Sequence, residues 1–149
     1  MAKSTFVYVV YIRATPERIW IALLDGEFTR QYWAGENVSD WKIGSAWEHR
    51  RTEAMGSVAV IGEVMEAVAP IRLVLTWADP ADRGNRSHYS RVAFDLKALG
   101  DMVELSVTHS DLEGTTAMAA KVIQGWPRVL SSLKSLLETG RALETWACS

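Results

Sequence analysis

Apolar and polar residues alternate with a period of two between residues 37 and 109, which is the pattern of β-strands. In the clearest run Val92, Phe94 and Leu96 share one face, and charged residues occupy the other. The joints between successive runs are short and contain glycine, proline or aspartate, so we expect an antiparallel meander. The strands are predicted at Phe6–Arg13, Asn37–Trp41, Ala46–Thr52, Val58–Val68, Arg72–Trp77, His88–Lys97 and Met102–His109.

The pattern changes to a helical one at two places. After the first strand, Thr15 is a suitable N-cap and Pro16 suits the first helical turn, so we predict a helix that ends near Asp25-Gly26. A second short helix follows at about Glu27 to Trp33, and the two form a helical V. A long helix is predicted from about Thr115 to Glu138, where apolar residues spaced by three and four form one broad stripe.

Gly125-Trp126-Pro127 interrupts the long helix near its middle. Proline cannot donate to the carbonyl of Ile123, and its ring crowds that turn. One interpretation is a tolerated kink that lets the helix follow a twisted sheet. The other is a bend that lifts the apolar stripe off the sheet and leaves a void. We predict a kink with some cavity beneath it.

Length and composition exclude several classes of protein. The 149 residues suit a single domain, 1–149, with a loosely held tail at about 140–149. A net charge of −2 gives no basic surface for nucleic acid. A single cysteine, Cys148, the lack of a signal peptide and the lack of a membrane-spanning apolar run favour a cytoplasmic protein. Most of the seven tryptophans are expected in the core.

Five segments, taken in order and spacing, resemble one known family. They are Ala14–Trp20, Asp40–Trp47, Gly62–Trp77, Val103–His109 and Gly125–Leu137. The resemblance is to bacterial proteins similar to the C-terminal domain of the activator of the heat-shock-protein-90 ATPase, in the START-like (SRPBCC) superfamily. Ser45 stands where a second glycine is usual, and Pro127 is a departure from the pattern.

The resemblance implies an α+β helix-grip fold. In this fold a curved antiparallel sheet of about six or seven strands wraps a long C-terminal helix, two short helices follow the first strand, and a cavity lies between sheet and helix. Relatives include lipid carriers, polyketide cyclases and plant-hormone receptors, so the fold indicates where function lies and not what it is.

Ten residues are predicted to line this cavity, from their strand phase or their place on the helical stripe. They are Trp47, His49, Arg51, Trp77, Phe94, Val103, Leu105, His109, Ile123 and Trp126.

The most informative of these positions alternate along one strand. If Trp47 faces the helix, His49 and Arg51 face it too. Buried in this way they would need partners, which Glu63 or Glu66 on the neighbouring strand could supply. The favoured alternative is that the strand twists or bulges and leaves both in solvent.

The other polar and aromatic candidates each have two interpretations. His109 ends an inward face, and a hydrogen bond from the strand to the loop before the long helix is favoured over acid–base chemistry. Trp77 and Trp126 either clamp a flat ligand or fill the space that a ligand would take. Trp20 and Trp33 are assigned to the helical V. Trp146 covers an apolar patch or contacts a partner subunit, which makes a homodimer one option.

Three histidines and one distant cysteine give no metal-binding spacing, and we find no cofactor motif, so neither a metal nor a cofactor is predicted.

Three functions are compatible with these observations. The first hypothesis is binding of a small hydrophobic or aromatic molecule. The second is an enzyme of the cyclase, dehydratase or hydrolase type, with His49, Arg51 and His109 as its polar groups. The third is a co-chaperone-like interaction domain, as the family resemblance implies.

Overall fold

The computed structural model describes residues 3–52, 56–113 and 117–143. Within these ranges seven strands form one antiparallel sheet in the order β1-β7-β6-β5-β4-β3-β2, which confirms the predicted α+β fold. The strands are β1 (Lys3–Ile12), β2 (Gly35–Val38), β3 (Ala46–Arg51), β4 (Val58–Val68), β5 (Arg72–Trp77), β6 (Ser90–Leu99) and β7 (Met102–Glu113). The helices are α1 (Pro16–Leu24), α2 (Gly26–Tyr32) and α3 (Ala117–Thr139).

The inward-facing residues of the strands build one core with α3. Phe94 on β6 pairs with Leu73 on β5 and with Val107 on β7, and all three are buried. Burial of such apolar side chains stabilises the fold by about 1.5–3 kcal/mol per residue. The apolar positions of the period-two alternation therefore form the face of the sheet that packs against the helix.

The two short helices begin as the sequence predicts. The Thr15 hydroxyl accepts a hydrogen bond from the Arg18 N–H at 3.2 Å, and Pro16 follows it in the first turn. Asp25 ends α1 and caps α2, since its carboxylate accepts from the Glu27 N–H at 2.9 Å. One residue between the helices thus fixes the helical V.

Polar contacts hold the C-terminal half of α3 to the first strand and helix. The Lys134 ammonium donates to the carbonyl of Tyr11 at 2.6 Å, and the Arg18 guanidinium donates to the carbonyl of Leu137 at 3.1 Å. Leu130 and Leu133 of this half are fully buried. α3 continues through Pro127 as one helix from Ala117 to Thr139.

Some predicted boundaries were wrong for identifiable reasons. The first strand of the second hairpin was predicted at Asn37–Trp41, but β2 ends at Val38 because the Ser39 hydroxyl accepts from the Trp41 N–H at 3.0 Å and makes a turn. Trp41 itself has φ 62, in the left-handed region. β7 runs past His109 to Glu113, where it pairs with the start of β1. Trp146 and Cys148 lie outside the described residues.

Candidate functional site

A cavity of about 320 Å³ lies between the N-terminal half of α3 and the strands β3, β4 and β5. This volume is at the lower end of the range for small-molecule sites. The lining residues are Trp33, Ala34, His49, Arg51, Ala59, Val60, Trp77, Asp79, Met118, Lys121, Val122, Gly125, Trp126 and Val129. Most are apolar, so the interior suits an apolar molecule.

One face of α3 forms the helical side of the cavity. Met118, Val122, Gly125, Trp126 and Val129 recur at spacings of three and four, which places them on one stripe. A Cβ atom built on Gly125 would meet nothing within 4 Å. The glycine therefore leaves open space on this stripe and widens the cavity.

Three indole rings form a continuous aromatic wall. The ring centroids of Trp33 and Trp77 lie 6.5 Å apart, and both centroids lie 5.4 Å from that of Trp126. These are contact distances between aromatic rings. No further ring fits between Trp77 and Trp126, so these two cannot clamp a flat ligand between them. A ligand would instead lie against the wall.

His109 is enclosed behind this wall with both ring nitrogens hydrogen bonded. The Trp126 indole N–H donates to Nδ1 of His109 at 3.0 Å, so the proton of the neutral ring is on Nε2. Nε2 lies 2.7 Å from the Ser90 hydroxyl, which donates to the carbonyl of Trp77 at 3.2 Å. Burial lowers the pKa of His109 to about 3. These bonds tie β7 to the helix itself and not to the loop before it.

His49 is also buried, and it has a different set of partners. Nδ1 lies 2.7 Å from the side-chain oxygen of Asn37, whose amide nitrogen donates to the carbonyl of Leu23 at 2.9 Å. The carbonyl fixes the orientation of the amide, so His49 carries its proton on Nδ1. Burial and, second, the charge of Arg51 lower the pKa of His49 to about 4. The imidazole is therefore neutral near pH 7.

The neighbouring Arg51 is exposed at the edge of the cavity. Its guanidinium has a long contact of 3.4 Å to the Ser57 hydroxyl. The carboxylates proposed as partners for His49 and Arg51 are used elsewhere, because Glu63 pairs with Arg86 and Glu66 with Arg72. A register shift between His49 and Arg50 interrupts the strand here. The expected bulge is present, yet only Arg51 reaches solvent and His49 stays buried.

The structure brings four of the ten predicted residues to the cavity surface: His49, Arg51, Trp77 and Trp126. Five others lie in the packed core: Trp47, Phe94, Val103, Leu105 and His109. Phe94 and His109 contact the ring of Trp126, which separates them from the cavity. Ile123 is 42% exposed, because a helix position one residue from Val122 is turned about 100° away from it. A role in ligand binding stays a prediction for all ten residues.

The sequence reasoning missed several lining residues. Trp33 was assigned to the helical V; it is the C-cap of α2, and it also lines the cavity, where its ring contacts His49 with centroids 4.9 Å apart. Ala34 follows with φ 60°, in the left-handed region, at a position where the sequence has alanine and not glycine. The helix face could have been found from the sequence, since Val122, Gly125 and Val129 share the spacing of Trp126.

No group of three or more histidine, cysteine, aspartate or glutamate residues in the described part of the chain could hold a metal ion. None of the described helices is long and apolar enough to cross a membrane.

The fold and the cavity together define a helix-grip, START-like domain. Residues 13–138 match the family described as Activator of Hsp90 ATPase homolog 1-like protein, and the chain belongs to that family. No curated protein sequence matches it.

Solved structures with the same fold cover most of the chain. The solution structure of the Aha1 dimer from Colwellia psychrerythraea is 22% identical, with a TM-score of 0.77 over 93% of this chain and 99% of that chain. The crystal structure of an HSP90 activator from Plasmodium falciparum is 20% identical, with a TM-score of 0.73 over 89% of this chain and 95% of that chain. CalU16 from Micromonospora echinospora is 18% identical, with a TM-score of 0.71 over 91% of this chain and 77% of that chain. Such identities show the fold alone.

Proposed function

We propose that this protein binds a small apolar or aromatic molecule in the cavity between α3 and the sheet. The observation that carries the proposal is the cavity of about 320 Å³ with one wall of three indole rings. Aromatic walls favour flat ligands through their large contact area. The exposed residues Arg51, Asp79 and Lys121 at the edge give the ligand a route from solvent.

The chemistry of the lining favours binding over catalysis. Among its described residues there is no serine, threonine, cysteine or tyrosine that could act as a nucleophile. His109 lies behind Trp126 with both nitrogens engaged. His49 faces the cavity, but a pKa of about 4 makes it a weak base at neutral pH.

Contact with a chaperone is the second candidate function. The name of the family and that of the Plasmodium falciparum relative both refer to activation of the chaperone HSP90. A pull-down with the HSP90 of the same organism tests it: recovery of the chaperone supports this function, and its absence removes it.

The proposal also includes a cytoplasmic location and a homodimer. The single cysteine fits a reducing compartment, which is the argument for the cytoplasm.

The argument for a homodimer comes from β1, the edge strand. Val7, Val9 and Tyr11 on this strand are all more than 40% exposed and form an apolar stripe that a second copy could cover. Sedimentation analysis should give twice the monomer mass, and a monomer at high concentration would refute the dimer.

Filling the cavity tests the binding proposal directly. Gly125→Leu places an isobutyl group in open space on the cavity face, so we expect aromatic ligands to bind at least tenfold more weakly. Leucine has a helix propensity about 1 kcal/mol better than glycine, so the melting temperature should not fall. Isothermal titration calorimetry with 2-naphthamide and 2-naphthoate measures the effect.

Gln124→Leu is the matched control because it adds a leucine at the exposed neighbouring position. It should leave the affinity unchanged. If the parent protein binds neither compound and carries no small molecule in native mass spectrometry after purification from its host, the binding function is refuted.

A further inference from the structure

Two cationic side chains lie at the edge of the apolar cavity, one from each side. Arg51 ends strand β3, and Lys121 lies on α3 one turn before Gly125. Both residues are exposed. An apolar cavity with positive groups at its edge has the polarity of a site for an amphipathic anion.

Neither cation has an ion-pair partner within the described ranges. Arginines on strands of the same sheet do have partners: Arg50 on β3 pairs with Glu48, and Arg72 on β5 pairs with Asp95 at 2.7 Å. Among the described residues, the Arg51 side chain has only its long contact with the Ser57 hydroxyl. A guanidinium that lies beside a cavity and has no carboxylate partner keeps its planar N–H donors available for a ligand.

The charges of the lining indicate how many negative groups the ligand carries. Arg51 and Lys121 contribute +2 and Asp79 contributes −1, which gives +1 in total. The Asp79 carboxylate accepts a hydrogen bond from the Ala81 N–H at 2.9 Å, which caps the short turn that follows. His49 adds no charge near pH 7. A net charge of +1 matches a monoanion better than a dianion or a cation.

We infer that the occupant of the cavity is a planar aromatic monocarboxylic acid, with its rings against Trp33, Trp77 and Trp126 and its carboxylate at Arg51 and Lys121. The inference rests on the proposed binding function and adds the chemical class of the ligand. The site is reached from solvent at the charged edge, so the ring enters first and the carboxylate stays in the wet part of the cavity.

A pair of compounds of the same shape separates charge from ring contact. Calorimetric titration should show 2-naphthoate binding at least tenfold more tightly than 2-naphthamide. Raising the ionic strength should weaken the acid and leave the amide unchanged, because salt screens exposed charges. Arg51→Gln should bring the affinity of 2-naphthoate down to that of 2-naphthamide, and Lys121→Gln should reduce it in the same direction.

Arg50→Gln is the control, since Arg50 is the next residue, is exposed, pairs with Glu48 and does not line the cavity. It should leave the preference for the acid intact. If both compounds bind equally well to the parent protein, the inference about the acid is overturned and the binding function stands. If neither compound binds, the inference about the acid is overturned, and the binding function is overturned with it only when native mass spectrometry also finds no small molecule on the protein.

Discussion

Gly62→Ala is expected to lower the free energy of unfolding by about 3 kcal/mol or more, which is near the upper limit for overpacking. A Cβ atom at this position would lie 1.9 Å from the carbonyl oxygen of Thr76 and 2.5 Å from Nε1 of Trp47. That indole N–H donates to the same carbonyl at 2.8 Å, so the methyl group would break the bond and displace a ring that is 1% exposed. Chemical denaturation measures the loss.

Gly125→Ala is the matched control, because the same methyl group meets nothing within 4 Å there. It should raise the free energy of unfolding by about 0.5–1 kcal/mol, since alanine favours a helix over glycine. The same chemical change is therefore expected to have opposite signs at the two glycines. Equal stability of Gly62→Ala and the parent protein would show that β5 and Trp47 can move apart without loss.

The strands that the sequence predicted best are those whose ends are set by local chemistry. Val58–Val68 and Arg72–Trp77 match β4 and β5 at both ends, with a glycine before the first and Ala69-Pro70 between them. The first strand of the second hairpin was misplaced because its end depends on the side-chain hydrogen bond of Ser39, and the alternation of residues does not reveal such a bond.

The cavity was harder to predict because its walls come from elements far apart in sequence. Periodicity assigns a residue to a face, but it does not show which part of that face is covered by another side chain. Phe94 faces inward as predicted, and Trp126 then lies between it and the cavity. Trp33 belongs to no periodic stripe, since it is the C-cap residue that follows a short helix, and its contacts with Trp77 and Trp126 exist only in the tertiary structure.

Stability is expected to fall steeply as the pH is lowered from about 6.5 towards 4. Burial holds the pKa of His109 at about 3 and that of His49 at about 4, while an unfolded chain protonates histidine near pH 6.5. The unfolded state therefore binds more protons than the folded state in this window. The stabilisation is complete above pH 6.5 and is lost progressively below it.

The slope gives the number of histidines involved. Two neutral buried rings predict a loss of about 2–3 kcal/mol for each pH unit between pH 6 and 5, and one ring predicts about half of that. Glu63 does not add to the slope in this range, because Arg86 lowers its pKa and its contribution to stability is lost only at lower pH. Urea denaturation at several pH values measures the slope.

Replacement of one buried ring identifies its share of the slope. His109→Gln keeps an acceptor for the Trp126 indole and a donor for the Ser90 hydroxyl but cannot be protonated, so the slope should fall by about half. A slope that His109→Gln does not change would mean that the ring reaches water before the chain unfolds. The hydrogen bonds from Trp126 to His109 and on to Ser90 would then not stay closed in the folded protein.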